Sequence, residues 1–284
     1  MSNNIHPCFW YNGNAKAAAE FYCTVFPDSK ITVDSAMVVN FELYGQKFMG
    51  LNGGPQFTFN PSVSFMVTCE HDAEIDELWN KLSDGGFVMM PLNKYDWSER
   101  YGFLQDKFGL SWQIYKGNYS YVNQKITPTF LFIGDNYGRA EASVKFYTKV
   151  FSSASIDSIL LYTKEEGPQA GKVKHAQYIL DGKVFMAMDG FGPHQFAFNE
   201  AISFVIECKD QQEIDYYWDT LIADGGRESM CGWLKDKFGV SWQVIPNVIG
   251  KLMSDPAKGQ SVMQAILQMK KLDIAKMEQA FNAE

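Results

Sequence analysis

The decapeptide DKFGLSWQIY, at positions 106–115, returns at 236–245 as DKFGVSWQVI, and the changes fall only among apolar residues. Whatever corner the first copy makes, the second must make as well, so the chain is constrained to a fold built twice. Asp-Lys-Phe-Gly reads as a turn, in which Asp106 and Asp236 accept backbone N–H groups and Gly109 and Gly239 take positive φ. In the Ser-Trp-Gln that follows, strand alternation sends Trp112 to one face and Ser111 with Gln113 to the other.

The repetition extends upstream. In NAKAAAEFYCTVF, residues Ala15, Ala18, Ala19, Tyr22, Val25 and Phe26 recur at steps of three and four, which places them on one helix face. RAEASVKFYTKVF writes the same stripe with Ala140, Ser143, Val144, Tyr147, Val150 and Phe151. Each helix precedes a pair of extended runs, split at Tyr44-Gly45-Gln46 in one copy and at Asp181-Gly182 in the other, and these are read as hairpins. SVSFMVTCE and AISFVIECK are β-rich runs that lead into helices striped by Ile75, Leu78, Trp79, Leu82 and by Ile214, Tyr217, Trp218, Leu221. Gly-Gly pairs at 85–86 and 225–226 end those helices. Tyr101–Gln105 then pairs through the Asp-Lys-Phe-Gly turn with Ser111–Tyr115, and residues between Asn93 and Tyr101 are read as a long loop with no equal in the second copy.

A length of 284 residues accommodates two such copies. The boundary is placed in KGNYSYVNQK, giving residues 1–120 and 121–250 as the two domains and 251–284 as a helical extension. In that extension Ser254-Asp255-Pro256 reads as a helix start, followed by two short apolar stripes, Val262, Ile266, Met269 and Ile274, Met277, Phe281. No apolar run reaches the roughly 20 residues that span a bilayer, and MSNNIHPCFWY lacks the pattern of a secretory signal. A cytoplasmic protein without a membrane partner is expected. The formal net charge of −8 opposes nucleic-acid binding, which depends on neutralising phosphates. Five scattered cysteines without a CxxC pair read as buried reduced thiols.

These residues in this order resemble the PhnB-like branch of the glyoxalase, bleomycin-resistance and extradiol-dioxygenase superfamily, also called the vicinal oxygen chelate fold. The resemblance rests on NGNAKAAAEFYCTVF, the hairpin, SVSFMV, the Gly-Gly helix end and DKFGLSWQI, each met twice. It implies an α+β chain: a tandem repeat of the glyoxalase-like fold, four βαβββ modules forming curled mixed sheets with outer helices, plus the C-terminal helical tail. It further implies an internal pseudo-dimer in a monomer, or else a homodimer.

Metalloenzymes of that superfamily set His and carboxylate ligands on four strands around a cleft. The matching places here carry His6, Gly50, Ser64 and Gln113 in the first copy and Thr127, Ala187, Ser203 and Gln243 in the second, with no carboxylate among them. No metal site and no cofactor are therefore expected. A buried Gln needs partners for its carbonyl and its amide, which either the cleft wall or a ligand supplies. His6, Ser64, Gln113, Ser203 and Gln243 stand as ligand-binding candidates, with Trp10 and Trp97 as aromatic surfaces for a flat organic molecule. No residue is assigned as catalytic; His71, His175 and His194 have no counterpart in the other copy. The favoured reading is a small-organic-molecule binding protein with a metal-free cleft. The alternatives are a lyase, isomerase or dioxygenase with atypical metal ligands, and the methyl transfer suggested by the demethylubiquinone methyltransferase label of this branch. The last is disfavoured because no strand leads into a Gly-rich loop and helix of the kind that holds S-adenosylmethionine.

Overall fold

In the computed structural model, which describes residues 5–283, four successive stretches of chain each trace strand, helix and three strands. The first comprises β1 (Ile5–Tyr11), α1 (Ala15–Val25), β2 (Lys30–Asp34), β3 (Val38–Leu43) and β4 (Gln46–Asn52). The second comprises β5 (Val63–Cys69), α2 (Asp72–Ser83), β6 (Phe87–Tyr95), β7 (Ser98–Gln105) and β8 (Ser111–Lys116), and the short α3 (Tyr119–Val122) follows. The third comprises β9 (Ile126–Phe132), α4 (Ala140–Val150), β10 (Ala154–Leu161), β11 (Val173–Leu180) and β12 (Lys183–Asp189). The fourth comprises β13 (Ile202–Cys208), α5 (Gln211–Ile222), β14 (Arg227–Glu228), β15 (Trp233–Lys235) and β16 (Ser241–Pro246). Helices α6 (Ile249–Met253), α7 (Gly259–Ile266) and α8 (Ile274–Asn282) come after it. The expected βαβββ modules and helical tail are thus present. Among the described residues no helix is long and apolar enough to cross a membrane.

The strands form mixed sheets: the first holds the runs β14-β15-β16-β13 and β1-β4-β3-β2, and the second has eight strands ordered β10-β11-β12-β9-β5-β8-β7-β6. The second sheet joins the closing half of the first repeat to the opening half of the second. In it β5 runs antiparallel to β9 and parallel to β8, while β12 runs parallel to β9. By contact the chain divides into two compact units, one spanning Cys8–Ile202 and the other the described residues up to Pro7 with those from Ser203 onward.

The unit spanning Cys8–Ile202 has an aromatic core written twice. Phe9 packs on Phe48 and edge-on to Phe65, Phe41 stacks on Phe48, and Tyr22 of α1 with Phe26 just beyond it packs against Trp112. The second version sets Phe130, Phe185, Tyr178 and Tyr147 together. The loops that join modules contribute Phe59 to the first cluster and Phe198 to the second. Those loops also bind each other reciprocally: Asn60 donates to the Ala197 carbonyl at 3.0 Å and Asn199 to the Thr58 carbonyl at 2.8 Å. Orphan N–H groups at the helix starts are satisfied by the last strand of the same module. Asn52 accepts from Ala15 N at 2.9 Å, and Asp189 accepts from Gly138 N at 2.8 Å and Ala140 N at 3.2 Å.

The repeated decapeptide is first of all a staple. Asp106 is buried, and its Oδ1 accepts Phe108 N at 2.8 Å and Leu110 N at 3.1 Å, while Oδ2 accepts the Trp112 indole and the Tyr22 hydroxyl, each at 2.8 Å. Burial raises its carboxyl above the ordinary value, and the indole, phenol and two amides pull it back. Gly109 at φ 88° makes the turn possible, as expected. The hairpins at Tyr44-Gly45 and Asp181-Gly182 likewise hold both residues at positive φ. One expectation fails: Asn93–Tyr101 is no loop, because β6 and β7 pair from Phe87↔Gln105 to Tyr95↔Ser98. Three register shifts interrupt that pairing, and they break the alternation by which a strand is recognised in sequence.

In the unit that begins at Ser203, Asp236 repeats the staple, accepting Phe238 N at 2.8 Å, Val240 N at 3.1 Å and the Trp242 indole at 2.9 Å. Phe204 meets Trp242 at 5.7 Å and 49°, matching Phe65 against Trp112 at 5.8 Å and 49°. The tail is built into this unit. Cys231 N donates to Met269 O at 2.7 Å and Gly232 N to Lys270 O at 2.8 Å, and Leu272 is fully buried. Gln211 of α5 donates to Leu272 O and accepts from Ile274 N. The expected apolar stripe loses Met269 to this connection, since α7 stops at Ile266.

Candidate functional site

Helices α2 and α4 pack on one side of the β10–β6 sheet, and among the described residues of this unit no helix packs closely on the other, the helix-free face. Pairing register decides which residues stand there, since partners across a ladder share a face. Met66 pairs with Gln113 and with Thr127, Ser64 with Thr129, Phe103 with Gln113, and Thr129 with Met186. These side chains therefore share the helix-free face. Phe65, Trp112 and Phe130, one residue along, fill the core on the other side.

Gln113, Ser64 and Tyr101 form one hydrogen-bonded chain. The Tyr101 hydroxyl donates to Gln113 Oε1 at 2.8 Å, and Gln113 Nε2 donates to Ser64 Oγ at 2.7 Å. All three are buried, and burial holds the Tyr101 phenol above its ordinary pKa. Nearby, the buried hydroxyls of Thr127 and Ser111 have no hydrogen-bond partner. His175 of β11 stands opposite Leu160 of β10; burial lowers its pKa, which favours the neutral imidazole. Along this face Phe103, Leu131, His175 and Met188 remain partly exposed.

At the β6–β7 turn, Trp97 is 56% exposed, stacks on Tyr95 at 5.0 Å and 21°, and lies edge-on to Tyr101 at 5.9 Å. Tyr101 thus links an exposed aromatic surface to the buried amide of Gln113. Trp10 is engaged differently: its indole donates to Gly54 O at 2.8 Å and packs edge-on to Phe57.

In the other unit, Gln243 Nε2 donates to Ser203 Oγ at 2.9 Å, repeating the Gln113–Ser64 pair. The position equivalent to Tyr101 is Cys231, so the phenol link has no counterpart. His6, buried on β1, has Nδ1 3.8 Å from Glu207 Oε1 of β13. Glu207 is a carboxylate that the sequence reading missed, because of the run AISFVIECK only Ser203 was weighed as a site residue. The signal was available in SFVIE, where Ser203, Val205 and Glu207 alternate onto one face.

The sequence grouping by copy is corrected by the sheet order. Ser64 and Gln113 of the first repeat share their face with Thr127 of the second, whereas His6 lies in the unit with Ser203 and Gln243. Gly50 and Ala187 point to the helix side: a Cβ at Gly50 would meet the Ala15 Cβ at 3.1 Å, and Ala187 pairs with the core residue Phe130. His71 precedes α2 at an exposed position, and His194 lies against Phe196.

A divalent ion of the glyoxalase kind does not fit the Ser64–Gln113–Thr127 group. Its donors are neutral, and the Gln113 carbonyl and Ser64 oxygen already accept from Tyr101 and Gln113. Among the described residues no three His, Cys, Asp or Glu side chains stand together as a ligand set.

Comparison with known proteins matches residues 3–115 and 124–245, each in turn, to the family described as 3-demethylubiquinone-9 3-methyltransferase. A PhnB protein from Bacillus cereus is 35% identical over 39% of this chain and 96% of its own, with a TM-score of 0.38. Glyoxalase I from Zea mays is 12% identical over 86% of this chain and 92% of its own, with a TM-score of 0.56, a likeness of fold. No protein of curated function matches the chain.

Proposed function

Because the chain belongs to the family of that description, in two tandem units, we propose that it binds a small uncharged organic molecule without a metal, on the helix-free face of the β10–β6 sheet. The observation that carries this reading is the Tyr101–Gln113–Ser64 chain, a buried neutral polar group set among apolar side chains. Positions 64, 66, 101, 103, 111, 113, 127 and 129 of this face hold no Asp, Glu, Lys or Arg. A charged ligand would be buried there without a counter-charge. Trp97 supplies a flat surface where the face meets solvent, suited to stacking on a planar molecule. The five scattered cysteines, with no CxxC pair, suit the reducing, cytoplasmic setting we propose.

Methyl transfer draws no support from the residues. None of the strand-to-helix connections at 12–14, 70–71, 133–139 and 209–210 carries a G-x-G-x-x-G loop. A calorimetric titration with S-adenosylmethionine is expected to release no heat.

Native mass spectrometry of the purified full chain tests the proposal directly. A copurified neutral adduct is expected, retained by the wild type and lost from Gln113→Leu with folding intact by circular dichroism. An adduct held equally by both would place the ligand elsewhere and refute the assignment.

A further inference from the structure

The helix-free face of the β10–β6 sheet differs from its helix side in the kind of apolar residue it carries. On the helix side the same strands hold Phe65, Trp112, Phe130 and Phe185, stiff aromatics locked in the core. On the free side β5 and β12 hold Met66, Met186 and Met188, and β6 adds Met90. Met66 pairs with Gln113 and Thr127, Met186 with Thr129, Met188 with Leu131, and Met90 with Phe103. Met66 and Met186 are buried on the same face as the polar chain, while Met90 and Met188 keep partial exposure. Methionine is unbranched and polarisable, with three rotatable bonds, so such side chains fill a site when it is empty and rearrange around ligands of unlike shape. On the same face Thr127 and Ser111 present buried hydroxyls without a partner, each able to donate to a ligand oxygen once neighbouring side chains move.

We infer that this face is an adaptable, methionine-lined site that accepts uncharged, oxygen-bearing small molecules of differing shape. The inference rests on the proposed binding function and deepens it by naming ligand class and breadth. Adaptability comes from Met66 and Met186, and selection against charge comes from the neutral donors around Gln113.

The test uses the full chain with methionine methyl groups labelled with carbon-13, the resonances being assigned through Met66→Leu, Met90→Leu, Met186→Leu and Met188→Leu. The probes are benzamide, cyclohexanone, benzoate and toluene. Benzamide and cyclohexanone are both expected to shift the Met66 and Met186 methyl signals, with benzoate weaker than benzamide by about tenfold or more. The double variant Met66→Leu/Met186→Leu keeps apolar volume but stiffens the lining. It is expected to fold normally and to lose about tenfold in affinity for at least one of the two neutral oxygen probes. Benzoate binding as tightly as benzamide, or a double variant that binds both neutral probes unchanged, overturns the inference while toluene shifts would still uphold binding at this face. If none of the four probes moves any of these methyl signals, the inference and the binding function fail together.

Discussion

Replacing Asp106 by Asn is the sharpest test of why the decapeptide is written twice. In the wild type both carboxylate oxygens accept two bonds, Oδ1 from Phe108 N and Leu110 N, and Oδ2 from the Trp112 indole and Tyr22 hydroxyl. Asparagine keeps Oδ1 for the two amides, so the turn should survive. Its amide nitrogen, however, replaces Oδ2 and meets the indole donor against donor; the Tyr22 hydroxyl can reverse and accept. One charge-assisted bond is lost and a fully buried indole N–H is left without an acceptor. A hydrogen bond to a charged group contributes about 1.5–3 kcal/mol and a stranded buried donor costs about 1–3 kcal/mol, so with partial relaxation the expected loss is about 2–4 kcal/mol. At about 2–4 °C per kcal/mol for a chain of this class, Tm falls by roughly 5–15 °C. Tyr22→Phe removes one donor to the carboxylate and should cost about 1.5–3 kcal/mol. Urea unfolding at pH 7.5, followed by Trp fluorescence, measures both variants and the double variant, and the cycle should show coupling above about 0.5 kcal/mol. If Asp106→Asn were to unfold within about 0.5 kcal/mol of the wild type, the staple would not be what preserves the phrase.

The remaining predictions concern thiols, pH and the tail. Burial pushes the Cys69 and Cys208 thiols up to about 12, and Cys8 is also buried, so maleimide at pH 8 should label Cys23 and Cys231 first; mass spectrometry showing rapid modification of Cys69 would contradict the fold. His175 has a folded pKa below its ordinary 6.5, so the stability it contributes is complete above about 6.5 and is lost as pH falls through the lower folded value; His175→Leu should flatten that part of a Tm-against-pH curve. Leu272 is fully buried against the position of Gly232, so Leu272→Ala should cost about 2–5 kcal/mol in urea unfolding, and a change under about 0.5 kcal/mol would mean that the tail is not part of its unit.

What the sequence determined is whatever short-range pattern can encode. Apolar steps of three and four fixed α1 and α4, Tyr44-Gly45 and Asp181-Gly182 fixed two hairpins, and alternation placed Trp112 and Gln113 on opposite faces. These outcomes depend on backbone geometry within a few residues, and the two copies check each other. The tertiary structure alone decided which modules share a sheet. Hydrogen bonds between strands carry no label of the strand they join, so the pairing of β5 with β9, and with it the company of Ser64, Gln113 and Thr127, could not be read by copy. The Tyr101–Gln113 bond and the His6–Glu207 contact arise in the same way, from strands brought side by side by packing. The β6–β7 pairing was hidden for a different reason: its bulges erase the period of two, and only the neighbouring strand shows that the chain is extended there.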